Sequence, residues 1–541
     1  MSTDDAPPAA PANGAANAVL KVVGIGASAG GLAAIRALLA ALPAETGLAF
    51  AFVQHLDPSA ESLLVDLLAP HCALTVVEAT DGAPLARDTL AVAPPGAWLT
   101  VEGDRLRVQP MQRRAIPSSI DRLLFSLAES HGADAAGVLL SGNGNDGAAG
   151  LRAIRAVGGC TLAQDPAEAT HPGLPQSAID AGAVDLVLPT DELAATLLHF
   201  RDQPRYARDD ADPDPDLDPG GDGDDRGEAS PEGLPDEGLK RLTTLLRAHD
   251  GFDLDQYKTG TVRRRIRRRM GLIGDADFDS YLDRLRRDGG ERQQLLRDLL
   301  IGVTEFFRDP QAWQTLRTQA IDELIRRARP GDTLRVWVAG CSTGEEAYTA
   351  GMVLLEAIDD ADRELDIQIF ATDIDIDALG AARQGIYPAS NVERLGPERI
   401  DRFFIPIDGH GYKVDARLRD RISFAVQDLC NDPPFSRMHL VICRNVLIYL
   451  RREVQANVFR LLHFALRPSG FLFLGCSESL GTARDYLAAV SSTWRIFRRV
   501  GASRPGAFPA WRLGNRDTDE PRRAGPRLPG RVHRRPRPEP T

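Results

Sequence analysis

The sequence predicts an α/β protein in which two doubly wound parallel-sheet domains are joined by an acidic linker and a small all-α domain. Three observations predict it. Short β-branched and aliphatic runs alternate with Ala/Leu-rich helical stretches twice, over 19–200 and again over 306–500, the pattern of strand–helix–strand crossovers. In each half an apolar run leaves into a glycine-rich turn, Gly24-Ile25-Gly26-Ala27-Ser28-Ala29-Gly30-Gly31 in the first and Ala339-Gly340-Cys341-Ser342-Thr343-Gly344 in the second. Between the halves the text changes to Asp209-Asp210-Ala211-Asp212-Pro213-Asp214-Pro215-Asp216 and Gly220-Gly221-Asp222-Gly223-Asp224-Asp225, too acidic and too poor in apolar residues to order itself.

Taken in order, residues 1–18 are an Ala/Pro-rich, acidic leader without the basic start and apolar core of a signal peptide. Buried strands are expected at 22–25, 48–54, 136–140 and 184–188, closing a domain at 200, with the linker over 201–238. Residues 239–305 are helical in period, with Leu242, Leu245 and Leu246 spaced for one face. The second α/β domain, 306–500, has strands at 334–338, 367–371, 440–443 and 471–474, and 501–541 is a basic, Pro/Arg-rich tail expected to be disordered. At 541 residues the chain is too long for one core. Its six cysteines are scattered without a CxxC pair, which suits reduced thiols and gives no metal signature. A net charge of −12 argues against coating nucleic acid, and no apolar run reaches the roughly 18 residues of a membrane helix, so a cytoplasmic protein without membrane insertion is expected.

The first glycine turn has three readings. As a dinucleotide loop it needs a third glycine in GxGxxG register and an acid ending the second strand. Here that glycine is displaced to Gly30 and the strand ends in Gln54-His55-Leu56. As a nucleophile elbow it projects Ser28 from a strand-to-helix turn, with His55, at the end of the neighbouring strand, as general base. The orienting acid would come from the loop Ser141-Gly142-Asn143-Gly144-Asn145-Asp146-Gly147. The third reading is a tight turn beside a surface histidine. The second turn suits the close backbone approach that an adenosine-bearing methyl donor needs. The next strand runs into Thr372-Asp373-Ile374-Asp375, where a carboxylate can take a ribose diol. A plain nucleotide-binding or vestigial Rossmann-like domain meets the same two requirements.

Over about 20–190 the sequence resembles the catalytic domain of the chemotaxis protein-glutamate methylesterases, the CheB type. The match rests on the GIGASAGG loop, Gln54-His55-Leu56, Ala93-Pro94-Pro95-Gly96, Pro117-Ser118-Ser119-Ile120-Asp121, the SGNGNDG loop and Ala163-Gln164-Asp165-Pro166. The resemblance implies Ser28 as nucleophile, His55 as base and Asp146 as acid, hydrolysing a glutamyl methyl ester, with glutamine deamidation as a related reaction. Ala29 stands where the family commonly has threonine, and Asn143 where it has methionine or threonine. The stand-alone enzymes carry an upstream receiver domain, which is not expected within the short segment before the first strand.

Residues 239–500 resemble the chemotaxis receptor methyltransferases, the CheR type, through Thr304-Glu305-Phe306-Phe307-Arg308-Asp309, the CSTGEE loop, Ala371-Thr372-Asp373-Ile374-Asp375, Gln427-Asp428-Leu429 and Cys443-Arg444-Asn445-Val446-Leu447-Ile448-Tyr449. This implies a Rossmann-like domain whose pocket for S-adenosylmethionine is lined by Thr304, Arg308, Glu346, Asp373, Asp428, Leu429, Arg444 and Asn445. Arg308 and Tyr449 would position the acceptor carboxylate. Glycine at 302 and aspartate at 428 stand where some relatives have asparagine. The helix Arg263-Arg264-Arg265-Ile266-Arg267-Arg268-Arg269 reads as a docking surface for acidic receptor helices, as a solvated face or as a nucleic-acid patch; the net charge and the neighbouring domain favour the first.

Together these readings give a fused sensory-adaptation enzyme. It would methylate glutamates of methyl-accepting chemoreceptors or related glutamate-rich helical signalling proteins and hydrolyse the esters, with sensor histidine kinases among the partners the resemblance allows and without metal or nucleic acid. A two-component scaffold with little turnover, or a hydrolase acting on another ester or amide, are the alternatives.

Overall fold

The apolar runs of the N-terminal half become β1 (Val22–Ala27), β2 (Ala49–Gln54), β3 (Thr75–Glu78), β4 (Thr89–Val92), a hairpin of β5 (Ala97–Glu102) and β6 (Arg105–Pro110), then β7 (Ala135–Leu139), β8 (Cys160–Gln164) and β9 (Leu186–Leu188). The computed structural model describes residues 20–55, 63–111, 118–202, 234–275, 277–300, 302, 304–407 and 411–501, all within one compact unit. The leader expected over 1–18, and most of the linker expected over 201–238 and of the tail expected over 501–541, lie outside the described residues. Helices Thr190–Asp202 and Asp236–Asp250 both reach into the span expected as linker.

Seven of these strands form one parallel sheet in the order β3-β4-β2-β1-β7-β8-β9. Every residue of β1, β7 and β8 is buried, as expected for strands covered on both faces. Gly24 and Gly26 serve this packing. A Cβ on Gly26 would lie 2.3 Å from Ile120 Cγ2, and one on Gly24 2.6 Å from Leu127 Cδ1, so both glycines admit helix Ser119–His131 onto β1.

The C-terminal half adds β10 (Thr333–Ala339), β11 (Asp366–Asp373), β12 (Ile386–Tyr387), β13 (Phe404–Ile407), β14 (Gly411–Val414), β15 (Ile422–Val426), β16 (Met438–Cys443), β17 (Leu466–Leu474), β18 (Leu487–Ser491) and β19 (Ile496–Arg499). Its main sheet runs β15-β11-β10-β16-β17-β19-β18. It is parallel from β15 to β17, with β19 and β18 antiparallel at one edge. A separate antiparallel sheet is ordered β12-β14-β13. In both main sheets the strand order reverses beside the strand that carries the glycine turn, β1 or β10. Crevices at such switch points are where open α/β sheets bind ligands.

Between the sheets, helices Asp236–Asp250, Thr259–Ile273, Phe278–Arg287 and Gly289–Leu299 enclose a small core that includes Leu242, Leu246, Ile266, Tyr281 and Leu295. The arginine helix Thr259–Ile273 departs from the docking-surface and solvated-face readings, for it lies against the N-terminal domain. Arg265, Arg268 and Arg269 are buried, and Leu272 belongs to the core of the first sheet. Arg268 Nη1 donates to Asp298 Oδ2 at 2.9 Å and to Asp185 Oδ1 at 3.2 Å. Arg155, from helix Ala148–Ala156, donates through Nε to Asp298 Oδ1 at 3.0 Å and pairs with Asp185 at 3.1 Å. Arg269 makes a two-pronged pair with Glu291 at 2.8 and 2.7 Å. One face of the helix is charged because Arg268 and Arg269 meet fixed buried partners, while Arg263, Arg264 and Arg267 stay half-buried. Among the described residues, no helix is long and apolar enough to cross a membrane.

Candidate active sites

At the carboxyl edge of the first sheet, β1 ends one residue before Ser28. The Ser28 N–H donates to the Ser141 carbonyl at 3.0 Å, and the Gly31 N–H returns to the Ser28 carbonyl at 3.0 Å, closing a turn in which Gly30 takes φ +74°. That left-handed angle suits glycine and lets helix Gly31–Ala41 start at once. A Cβ on Gly142 would stand 2.7 Å from Ser28 Cβ and 2.3 Å from Leu174 Cδ1, so the loop after β7 has its glycine where it passes the serine. His55 follows β2 directly, its N–H held by the Ala27 carbonyl at 3.0 Å.

His55 Nε2 and Asp146 Oδ2 are 2.8 Å apart, with Asp146 buried and His55 partly exposed. Asp146 is fixed from behind, its Oδ2 accepting the Ile120 N–H at 3.0 Å and its Oδ1 the Asp121 N–H at 2.9 Å. These donors open helix Ser119–His131, whose dipole also favours a carboxylate there. Asp121 returns the arrangement by accepting the Gly147 and Gly150 N–H groups at 2.9 and 2.7 Å, at the start of helix Ala148–Ala156. Each carboxylate thus caps the other's helix. The structure joins His55 to Asp146 directly. Ser28 and His55 leave adjacent strand ends, and among the described hydrogen bonds none links Ser28 Oγ to His55. The ring nitrogen not engaged by Asp146 is Nδ1, and such contacts are often loose before substrate binds.

At the second sheet's edge, Gly340 takes φ +76° and its N–H donates to the Thr372 carbonyl at 2.7 Å, binding the turn after β10 to the end of β11. A Cβ there would meet Val446 Cγ2 at 2.3 Å. Asp373 Oδ2 accepts the Ser342 N–H at 2.7 Å and Oδ1 the Asp375 N–H at 3.0 Å. Burial pushes its carboxyl above the usual range, against the pull of those N–H groups.

Thr304, Arg308, Glu346, Asp373, Asp428, Leu429, Arg444 and Asn445 all line one cavity of 140 Å³, and Tyr449 forms part of its wall. Arg444 is buried. It donates to Glu346 Oε1 at 3.0 Å, to Asp309 Oδ2 at 2.6 Å and to the Arg308 carbonyl at 3.2 Å, with its guanidinium 4.7 Å from the Phe473 ring centre. Burial raises the Glu346 carboxyl, and Arg444 opposes the shift. Asp428 lines the cavity, but its oxygens hold its own loop, accepting the Cys430 N–H at 2.8 Å and the Asn431 Nδ2 at 2.6 Å. Phe307, Asp309, Ser342 and Asn445 adopt positive φ without being glycine, a concentration of backbone strain in and beside one site.

Several contributors escape sequence reasoning. Glu478 accepts the Val446, Leu447 and Gly475 N–H groups at 2.9, 2.7 and 2.7 Å and so shapes the loop of Arg444 and Asn445. Tyr257, from the helical domain, lines the cavity, and Gln427 presents a buried Oε1 that has no partner. The SSID and GEE motifs were visible signals for Asp121 and Glu345; nothing local singled out Glu478 or Tyr257.

Comparison with known proteins places families on these regions. Residues 302–496 match the SAM-binding domain of the CheR methyltransferases, 237–300 their all-α domain, and 23–197 the CheB methylesterase. Chemotaxis protein methyltransferase 1 of Pseudomonas aeruginosa is 31% identical over 255 residues, covering 46% of this chain and 93% of that protein. An uncharacterized 104.1 kDa protein of Rhodobacter capsulatus is 40% identical over 450 residues, 82% of this chain; the chain spans 47% of that relative's length. The crystal structure of the Thermotoga maritima CheB methylesterase catalytic domain is 28% identical, covering 34% of this chain and 98% of that one, with a TM-score of 0.31.

Proposed function

We propose a function from one premise: the chain belongs to the CheR methyltransferase family and carries a CheB methylesterase domain in the same polypeptide. On this reading it is a cytoplasmic, bifunctional sensory-adaptation enzyme. It methylates glutamate side chains of a chemoreceptor-like protein and hydrolyses the resulting glutamyl methyl esters. The observation that carries the reading is the presence of two sites of opposed chemistry, each at the switch point of its own sheet: the His55–Asp146 pair beside Ser28, and the strained cavity around Asp373 and Arg444.

In the first site Ser28 Oγ attacks the ester carbonyl carbon while His55 takes its proton. Asp146, anchored by two backbone N–H groups, keeps the imidazole oriented and stabilises its positive charge. The Ser28, Gly31 and Gly142 N–H groups are spent on carbonyls, which directs attention to the Ala29 and Gly30 N–H groups as oxyanion donors. Methanol leaves with the proton from His55, and water, deprotonated by His55, releases glutamate from Ser28. A glutamine side chain would follow the same path with ammonia as the leaving group.

The second cavity fits S-adenosylmethionine by its donor set: a half-buried carboxylate at the end of β11, the unpartnered Gln427 Oε1 and an apolar side formed by Leu429 and Tyr257. When bound, that cofactor supplies a methyl group activated by its sulfonium. Asp373 would hold the ribose hydroxyls, while Glu346, Asn445 and Leu429 line the remainder. Arg308 and Tyr449 would hold the acceptor carboxylate in line. A carboxylate is already a nucleophile, so the protein's task is alignment and not proton removal.

With the intact chain, S-adenosylmethionine and a glutamate-rich acceptor, Ser28→Ala should abolish methanol release and leave methylation running. Asp373→Ala should abolish methylation and binding of S-adenosylhomocysteine while leaving ester hydrolysis. Methanol released by the Ser28→Ala variant at the wild-type rate would overturn the assignment.

A further inference from the structure

Beside the cofactor cavity lies a second cavity, of 470 Å³, that both catalytic domains build. Thr304, Glu305 and Arg308 line both spaces. The far wall is the methylesterase domain: Phe125 and Glu129 from helix Ser119–His131, and Arg152, Ala153 and Ala156 from helix Ala148–Ala156. The rim is tied across the domains, with Arg122 3.7 Å from Glu393 and the Arg394 guanidinium 5.9 Å from the Phe125 ring centre.

The charges in this cleft favour an anionic guest. Arg152, Arg308 and Arg394 face Glu129 and Glu305, and Arg394 lies 3.5 Å from Glu305. Arg152 makes no ion pair among the described residues; its Nη2 reaches only the Ala181 carbonyl, at 3.5 Å. It nevertheless acts across the junction. Burial raises the Glu345 carboxyl in the methyltransferase loop, and the Arg152 charge is the largest influence opposing the shift. The volume falls within the ~300–1,000 Å³ of small-ligand sites, enough for a few side chains and too little for a folded domain.

We propose that the methyl acceptor reaches Arg308 through this cleft, so that the methylesterase domain supplies one wall of the methyltransferase's acceptor site and Arg152 holds a second carboxylate of the same acidic segment. The proposal rests on the methyltransferase reading above. It makes Arg152 a specificity residue that belongs by sequence to the other enzyme.

The test uses the full chain with bound S-adenosylhomocysteine. A fluorescein-labelled, alanine-based peptide carrying one pair of adjacent glutamates is titrated by anisotropy, beside a control peptide with glutamines. Wild type should prefer the glutamate peptide. Arg152→Glu should weaken it by about tenfold or more, the size expected for reversing one partly buried charge contact. Arg152→Lys should keep most of the affinity, and Ala156→Trp, which fills the cleft without changing charge, should lower it. Ser28-dependent hydrolysis of p-nitrophenyl acetate should not change in the Arg152 variants, nor S-adenosylhomocysteine affinity in Arg152→Lys, which keeps the charge near Glu345. Wild-type peptide affinity in both Arg152→Glu and Ala156→Trp would overturn the proposal, as would a wild type that binds S-adenosylhomocysteine but neither peptide. A wild type that does not bind S-adenosylhomocysteine would instead overturn the methyltransferase reading.

Discussion

Asp146→Asn isolates the function of one buried carboxylate. In the native site Oδ2 serves both His55 Nε2 and the Ile120 N–H, while Oδ1 serves the Asp121 N–H. An amide offers one acceptor and one donor, and neither orientation satisfies the site. With its oxygen toward His55 and Ile120, the amide N–H₂ faces the Asp121 N–H, donor against donor. With the N–H₂ toward His55, it opposes the Ile120 N–H and donates to Nε2, moving the ring proton to Nδ1, the nitrogen left for Ser28. The first orientation costs one buried donor, about 1–3 kcal/mol of stability. That corresponds to a fall in melting temperature of about 2–4 °C per kcal/mol for a domain of this size. The second also removes the general base, and in Ser-His-Asp enzymes the wrong tautomer costs about 10⁴-fold in turnover, or roughly 5.4 kcal/mol of barrier. Methanol release from a methylated acceptor, followed beside a thermal melt, reads both effects. Undiminished methanol release would refute the role of Asp146, since even the first orientation removes the charge that stabilises the imidazolium, and an unchanged melt would refute the cross-capping argument.

Two further predictions concern positions without chemistry of their own. Gly142→Ala places a methyl 2.7 Å from Ser28 Cβ and 2.3 Å from Leu174 Cδ1. It should cost about 1–3 kcal/mol of stability and slow ester hydrolysis while leaving S-adenosylhomocysteine affinity intact; full hydrolysis would show that the loop yields freely. Asp298→Ala leaves Arg155 and Arg268, which share two buried carboxylates, with Asp185 alone, and should cost about 3–5 kcal/mol, read by denaturant unfolding. Burial alone would raise the Asp298 carboxyl, but Arg155 and Arg268 overcome it and hold it below the usual range. A carboxyl depressed in the folded state contributes stability at pH above its unfolded value, near 4, and loses it as the pH falls toward the folded value. The wild-type melting temperature should therefore fall on acidification below about pH 4, by more than that of Asp298→Ala; parallel acid profiles would contradict the assignment.

The sequence carried the architecture of both sheet edges because period and punctuation are local. The mostly buried apolar runs of β1, β2, β10 and β16, and the left-handed turns at Gly30 and Gly340, are marked by residue types close by in the chain. Edge strand β3, mostly exposed, and the hairpin β5–β6 carry no such contrast and were not anticipated. The arginine helix was misleading for a physical reason. A charge run looks the same whether it meets water or a buried carboxylate, and the decisive partner, Asp185, lies 83 residues away from Arg268. Glu478 was equally silent, since its three backbone donors converge only once β16 and β17 pair.

The buried cluster of Arg155, Arg268, Asp185 and Asp298 gives the junction between the domains an unusual response to heat. Removing charged groups from water becomes less costly as temperature rises, because their hydration carries a strongly negative entropy, whereas hydrophobic attraction per unit area levels off. A contact held by such a cluster therefore grips better on warming and worse on cooling, relative to the apolar cores on either side. If the two catalytic halves ever part, cold and not heat is the condition that should favour their separation.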